Sequence, residues 1–208
     1  MFKNILVPLD GSKLAETAFI PAESLAQTLG APITLLHIIE KDAPQVIHSD
    51  HHLTRADEAK AYLKNIATRA STKELKVETH VHSAAVTDVA ASIIQHATQE
   101  FSPDLIVMCA HGQSGIRDLV FGNIAQQVLA GGQTPILLIQ PDSADERPFL
   151  LRRIFVPLDS ESKHDESLRY AMELAKAYDA ELYFLTVIPT YGTLSGQDAA
   201  VSSMLPAT

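Results

Sequence analysis

Leu105-Ile106-Val107-Met108-Cys109-Ala110-His111-Gly112, followed across nine residues by Gly122-Asn123, is the stretch that decides the fold. Its apolar opening reads as a buried strand and gives way to a polar, glycine-punctuated loop. From Gly122 a helical pattern begins, with Ile124, Ala125, Val128 and Leu129 on one face. A strand that ends in a glycine-bearing loop and re-enters a helix is how α/β proteins build an anion cradle. Glycine lets backbone N–H groups approach the ligand, and the helix N-terminus adds a partial positive charge.

Outward from this stretch, strands are expected at residues 4–9, 33–39, 76–82, 104–108 and 135–140, with helical patterns at 14–29, 55–70, 87–99 and 122–130. Gly131-Gly132 is a suitable stop for the last helix. The strands are nearly continuous apolar runs, as strands covered on both faces should be, and their alternation with helices implies parallel pairing. The expected fold class is therefore α/β: an open, parallel, five-stranded sheet with helices on both faces. Ligands in such sheets bind at the carboxyl ends of the strands, where strand order reverses. Val7-Pro8-Leu9-Asp10-Gly11-Ser12 and the loop after Met108 both fall at such ends.

An internal repeat follows. Ile5-Leu6-Val7-Pro8-Leu9-Asp10 recurs as Ile154-Phe155-Val156-Pro157-Leu158-Asp159, and the register continues without a gap through Ala22 on Ala171, Leu36 on Leu185 and Ile39 on Ile188. The polar, proline-flanked stretch from Pro141 to Pro148 reads as a boundary. The expectation is a complete domain at 1–141, a linker at 142–150 and an incomplete second repeat with a mobile tail at 151–208. About 55 residues of strand–helix–strand would struggle to bury enough surface alone, so a truncated tandem protein is the favoured reading. The second copy's Asp159-Ser160-Glu161-Ser162 lacks a partner loop, so no second site is expected.

Composition narrows the function classes. A formal charge of −9 argues against a nucleic-acid surface, which needs a dense basic stripe. No apolar run approaches the roughly 18 residues needed to span a membrane. The N-terminus runs straight into a strand with no signal-peptide pattern, and a single cysteine excludes an intramolecular disulfide. The expected location is the cytoplasm.

The first-strand motif Val7-Pro8-Leu9-Asp10-Gly11-Ser12, the Cys109 to Asn123 loop and the strand Leu35-Leu36-His37-Ile38 together resemble the nucleotide-binding universal stress proteins. The resemblance covers residues 1 to about 140 fully, and 152 to about 190 as the start of a second unit. It implies a Rossmann-like sheet of the adenine-nucleotide α-hydrolase type that binds ATP, or ADP or AMP, with magnesium accompanying the nucleotide. Carried over residue by residue, Pro8, Leu9 and Asp10 line the adenosine pocket, with the Asp10 carboxylate near the ribose. Ile38 and Met108 flank the adenine. Gly112, Gly122, Asn123 and Ile124 offer backbone N–H groups to phosphates. The family's ATP-binding pattern is Gly-x-x-Gly, nine residues, then Gly and Ser or Thr; here Cys109 replaces the first glycine and Asn123 the hydroxyl residue. The resemblance also implies a homodimer in which Pro135-Ile136-Leu137-Leu138-Ile139 pairs across a two-fold axis.

Other readings of the same residues stay open. The loop also suits a plain strand–helix connection, Asp10 a helix cap and Arg117 a solvated arginine. Asn123 remains a good cap. A family member that acts through dimerisation and partner contacts is the alternative that Cys109 and Asn123 support. An adenylate-forming ATPase would want a Ser-Gly-Gly-x-Asp-Ser loop, of which Asp10-Gly11-Ser12 offers a fragment. No general base or activated nucleophile is legible, and no catalytic residue is assigned. His48-x-Asp50-His51-His52 carries zinc or nickel ligand types, but neighbouring residues seldom chelate one ion in good geometry, so no metal is assigned. His80 and His82 share one face of a strand and read as a satisfied or partly exposed pair.

Overall fold

A computed structural model describes residues 2–47, 50–71, 75–110, 123–140, 149–158 and 165–186. It divides into two compact units, Met1–Phe149 and Leu150–Thr208.

In the first unit β1 (Ile5–Pro8) leads through α1 (Lys13–Glu16) and α2 (Phe19–Leu29) to β2 (Ile33–Glu40). A short hairpin, β3 (Val46–Ile47) and β4 (Asp50–His51), precedes α3 (Ala56–Ser71) and β5 (Val77–Val86). Next come α4 (Val89–His96), which continues as a π-helical turn (Ala97–Phe101), then β6 (Leu105–Cys109), α5 (Asn123–Gly131) and β7 (Ile136–Ile139). The five long strands form one parallel sheet in the order β5-β2-β1-β6-β7. The open parallel α/β architecture expected from the sequence is the one observed.

Side-chain alternation shows why both faces are covered. Leu6, Leu36, Ile38, Ile106 and Met108 pack with Ala90 and Ile93 of α4 and with Ala125 and Val128 of α5. Ile39, the neighbour of Ile38 on β2 and so on the opposite face, packs instead with Ala59 and Tyr62 of α3 and Val81 of β5. Ile5, Leu6 and Val7 on the central strand are fully buried. The starts of the neighbouring inner strands β1 and β6 are tied together: the Asp104 carboxylate accepts from the Lys3 and Asn4 backbone N–H groups at 2.7 and 3.0 Å.

Two local departures have physical causes. The helix expected at 14–29 is broken at Thr17 and Ala18, whose N–H groups donate to the tighter i−3 carbonyls of Leu14 and Ala15. Pro21 lacks the N–H that would bond the Thr17 carbonyl, so a continuous helix loses a bond there; in the first turn of α2 the same proline is harmless. The strand expected to end at His82 runs on to Val86, with a register shift against Ile38 and Glu40.

The second unit contains β8 (Arg153–Leu158), α6 (Asp165–Tyr178) and β9 (Glu181–Thr186), with β8 and β9 parallel. Its pairing repeats that of β1 and β2: Ile154 faces Leu182 as Ile5 faces Ile33, and Pro157 faces Leu185 as Pro8 faces Leu36. Phe155, Phe184 and Leu185 are each more than half exposed. The stretches 141–148, 159–164 and 187–208, which include the expected linker except its last two residues and the expected tail, lie outside the described residues.

Candidate functional site

The site begins where β1 runs out of sheet. Leu9 N–H still donates to the Leu36 carbonyl at 2.8 Å, and the chain then turns at Asp10. Asp10 Oδ1 accepts from both the N–H and the hydroxyl of Ser12, at 2.8 and 2.7 Å, while Ser12 Oγ accepts from Ala15 N–H at 3.0 Å as the cap of α1. One carboxylate oxygen thus holds the turn. Among the described residues, Oδ2 accepts no hydrogen bond, and Asp10 lines the cavity described below. The helix-cap role considered for Asp10 belongs instead to Ser12.

Gly11 makes this turn with φ of +97°, a conformation that side-chain-bearing residues rarely adopt. A Cβ there would also lie 2.6 Å from Leu53 Cγ. The backbone beside it is braced by His37, fully buried on β2. Its ring nitrogens face the Leu9 carbonyl at 2.7 Å and the Leu53 carbonyl at 3.0 Å. His37 therefore links the end of β1 to the segment leading into α3.

Above these strand ends lies a cavity of about 410 Å³, within the range of roughly 300–1,000 Å³ typical of small-molecule sites. Pro8, Leu9, Asp10, Ile38, Met108, Cys109, Asn123 and Ile124, all expected from the sequence, line it together. The cavity spans the ends of β1 and β6, and the chain builds outward from β1 first to one side and then to the other. This is the switch point of the sheet. Gly112, Gly122 and Arg117 lie outside the described residues. Asn123, expected as a cap, is the first residue of α5.

Sequence reasoning missed one wall. Glu40, Pro44, Ile47 and His52 also line the cavity. They come from the end of β2 and the β3–β4 hairpin, a segment that reads as a polar loop because its strands are two residues long. Its geometry comes from tertiary contacts: Lys13 N–H donates to Asp50 Oδ2 at 2.9 Å, and His52 N–H to the Gln45 carbonyl at 2.9 Å. His52 is buried, with Nδ1 facing the Pro44 carbonyl at 3.1 Å and Nε2 3.9 Å from Glu40. His51 points elsewhere, 3.6 Å from Glu58. Asp50, His51 and His52 each have their own partner, and His48 lies outside the described residues.

The arrangement defines a class: an open parallel α/β domain with a ligand-sized crevice at its switch point, lined mainly by apolar residues and by the carboxylate-bearing Asp10 and Glu40. The model of the universal stress protein family matches residues 1–140 and 151–207. The chain belongs to the universal stress protein family. A protein of Staphylococcus aureus strain USA300 described as a universal stress protein is 26% identical over 158 residues, covering 71% of this chain and 90% of that protein. A universal stress protein from Archaeoglobus fulgidus DSM 4304 shares the fold at a TM-score of 0.69 and 20% identity, over 96% of this chain and 70% of that one. A universal stress protein crystallised with cAMP shares it at a TM-score of 0.50 and 20% identity, over 67% of this chain and 97% of that one. No helix of the described residues is long and apolar enough to cross a membrane.

The Gly11 geometry generates a direct test of the turn. Gly11→Ala should destabilise the first unit by about 1–3 kcal/mol, the cost of holding a residue in a sparsely populated conformation, read as a lower urea midpoint. An unchanged midpoint would mean the turn relaxes freely.

Proposed function

We propose that the cavity binds an adenine nucleotide, ATP in the first instance, and that the chain acts as a ligand-responsive module of the universal stress protein type. The observation that carries this is the convergence of Asp10, Ile38, Met108, Asn123 and Ile124, from four separate elements, on one cavity at the switch point. Apolar walls from Ile38 and Met108 suit a purine. The Asp10 carboxylate, at a residue lining the cavity, suits ribose hydroxyl donors. The N-terminal turn of α5 supplies N–H groups at Asn123 and Ile124 for phosphate. Magnesium, a hard cation that takes oxygen ligands, would accompany the phosphates. That one structural relative was crystallised with cAMP, itself an adenine nucleotide, supports the same ligand class. The fit needs no catalytic group, and the output is a change of shape or association.

Association has its own candidate surface. β7 is an edge of the five-stranded sheet, and its residues Ile136 to Ile139 are only half-buried. An apolar edge strand is an association liability unless it is covered. Pairing with its symmetry mate gives a closed, isologous homodimer. Light scattering should return a dimer mass; a monomer mass independent of concentration would defeat this part of the reading.

Calorimetry with ATP, ADP and AMP tests the ligand. Saturable heat is expected for at least one of them. Asp10→Ala should weaken it by at least about tenfold, the scale of a lost charge-assisted hydrogen bond. Cys109→Gly, which restores the glycine of the family pattern, should leave binding intact or strengthen it. No heat at millimolar concentration for any of the three would favour the alternative, a member that works through partner contacts alone.

A further inference from the structure

Outside the cavity, the edge of the sheet carries a cluster of a different chemistry. His80 and His82 alternate on β5, on the face opposite Val81 and therefore toward α4 rather than α3. His96 ends α4, and Glu100 follows one turn later in the π-helical segment. The His96 ring lies 5.1 Å from that of His80 and 4.9 Å from that of His82. Glu100 Oε1 is 3.6 Å from His80 Nδ1, and Oε2 is 3.5 Å from His96 Nε2. None of these four residues lines the cavity.

We propose that His80, His96 and Glu100 form a binding site for one zinc ion at the edge of the sheet. One donor atom from each lies within 4.8 Å of the others. A tetrahedral zinc with bonds of about 2.0–2.1 Å sets its donors about 3.4 Å apart, so closing the site takes a contraction that side-chain rotation supplies. Two imidazoles and a carboxylate are a donor set that zinc accepts with water in the fourth position.

The orientation of His96 is the second support. Its side chain is only 6% exposed. Its Nδ1 donates to the Ser92 carbonyl at 2.7 Å, which leaves the lone pair on Nε2, the nitrogen turned toward Glu100. Metal-binding histidines are characteristically fixed in this way, with the second ring nitrogen bonded to a carbonyl or carboxylate. The Glu100 and His80 side chains are 48% and 32% exposed, which leaves the ion a way in. Phe101 closes the other side, its ring 5.1 Å from His80 and 5.9 Å from His96. The site would join the edge strand to α4, whose Val89 and Ile93 line the cavity.

The test uses the full, chelator-treated, nucleotide-free chain, so its result is independent of the nucleotide reading. Titration with zinc chloride should show one site per chain, and cobalt(II) should give the intense visible absorption of a tetrahedral complex. His80→Ala and Glu100→Gln, both at accessible positions, should each lose at least about tenfold in affinity, since even indirect supporting groups cost 10–100-fold at metal sites. His96→Gln should lose binding as well, and the two accessible variants decide the matter if it fails to fold. His51→Ala should bind as the unaltered chain does. Absence of saturable zinc binding to the unaltered chain would overturn the proposal, as would undiminished affinity in both His80→Ala and Glu100→Gln.

Discussion

The first unit depends on burying β1 between two parallel neighbours and two layers of helices. Ile5, Leu6 and Val7 have no solvent exposure, and their backbone groups must find partners in β2 and β6 because no water reaches them. That requirement ends abruptly after Pro8. There the chain leaves the sheet, and Asp10 can present a carboxylate that would be prohibitively costly three residues earlier, at the fully buried Val7. The same constraint places the cavity. With β2 paired on one side of β1 and β6 on the other, strand order reverses at β1, and the cavity lies at the carboxyl ends of these strands.

Much of this was legible because the pattern is local and strong. Five apolar strand runs and four helical patterns specified the α/β class, and the family motif brought eight described residues to one cavity. The break between α1 and α2 was hidden by a continuous apolar stripe from Leu14 to Leu29, although Pro21 carried the signal. The hairpin of Val46–Ile47 and Asp50–His51 was illegible for a different reason. Two-residue strands have no period, and their shape comes from contacts such as that of Lys13 with Asp50. That hairpin and the residues flanking it bring Pro44, Ile47 and His52 to the cavity beside Glu40 at the end of β2, so most of the missed wall shares its cause with the missed element. The histidine cluster follows the same rule. His80 and His82 were seen to share a face, but His96 and Glu100 join them only through the packing of α4 on β5, with their helical i, i+4 spacing as the one available clue.

The repeat shows how far a local pattern determines structure without its tertiary context. Residues 153–186 form the same strand–helix–strand, in the same register, as the start of the first unit. Their counterparts to the central strand are not equally buried: Phe155 is exposed where Leu6 is fully buried. Local sequence is sufficient for the pairing of two strands. Burial of both faces requires the remaining strands and helices, which in the first unit come from residues 56–139. The nucleotide reading accordingly attaches to the first unit, whose cavity needs β6 and α5.

The central claim is that this cavity holds an adenine nucleotide, and native mass spectrometry of the gently purified chain tests it most directly. The expected result is a species heavier by one adenine nucleotide per chain, present on isolation or formed on adding ATP. A chain that remains bare after incubation with ATP, ADP and AMP alike would contradict it.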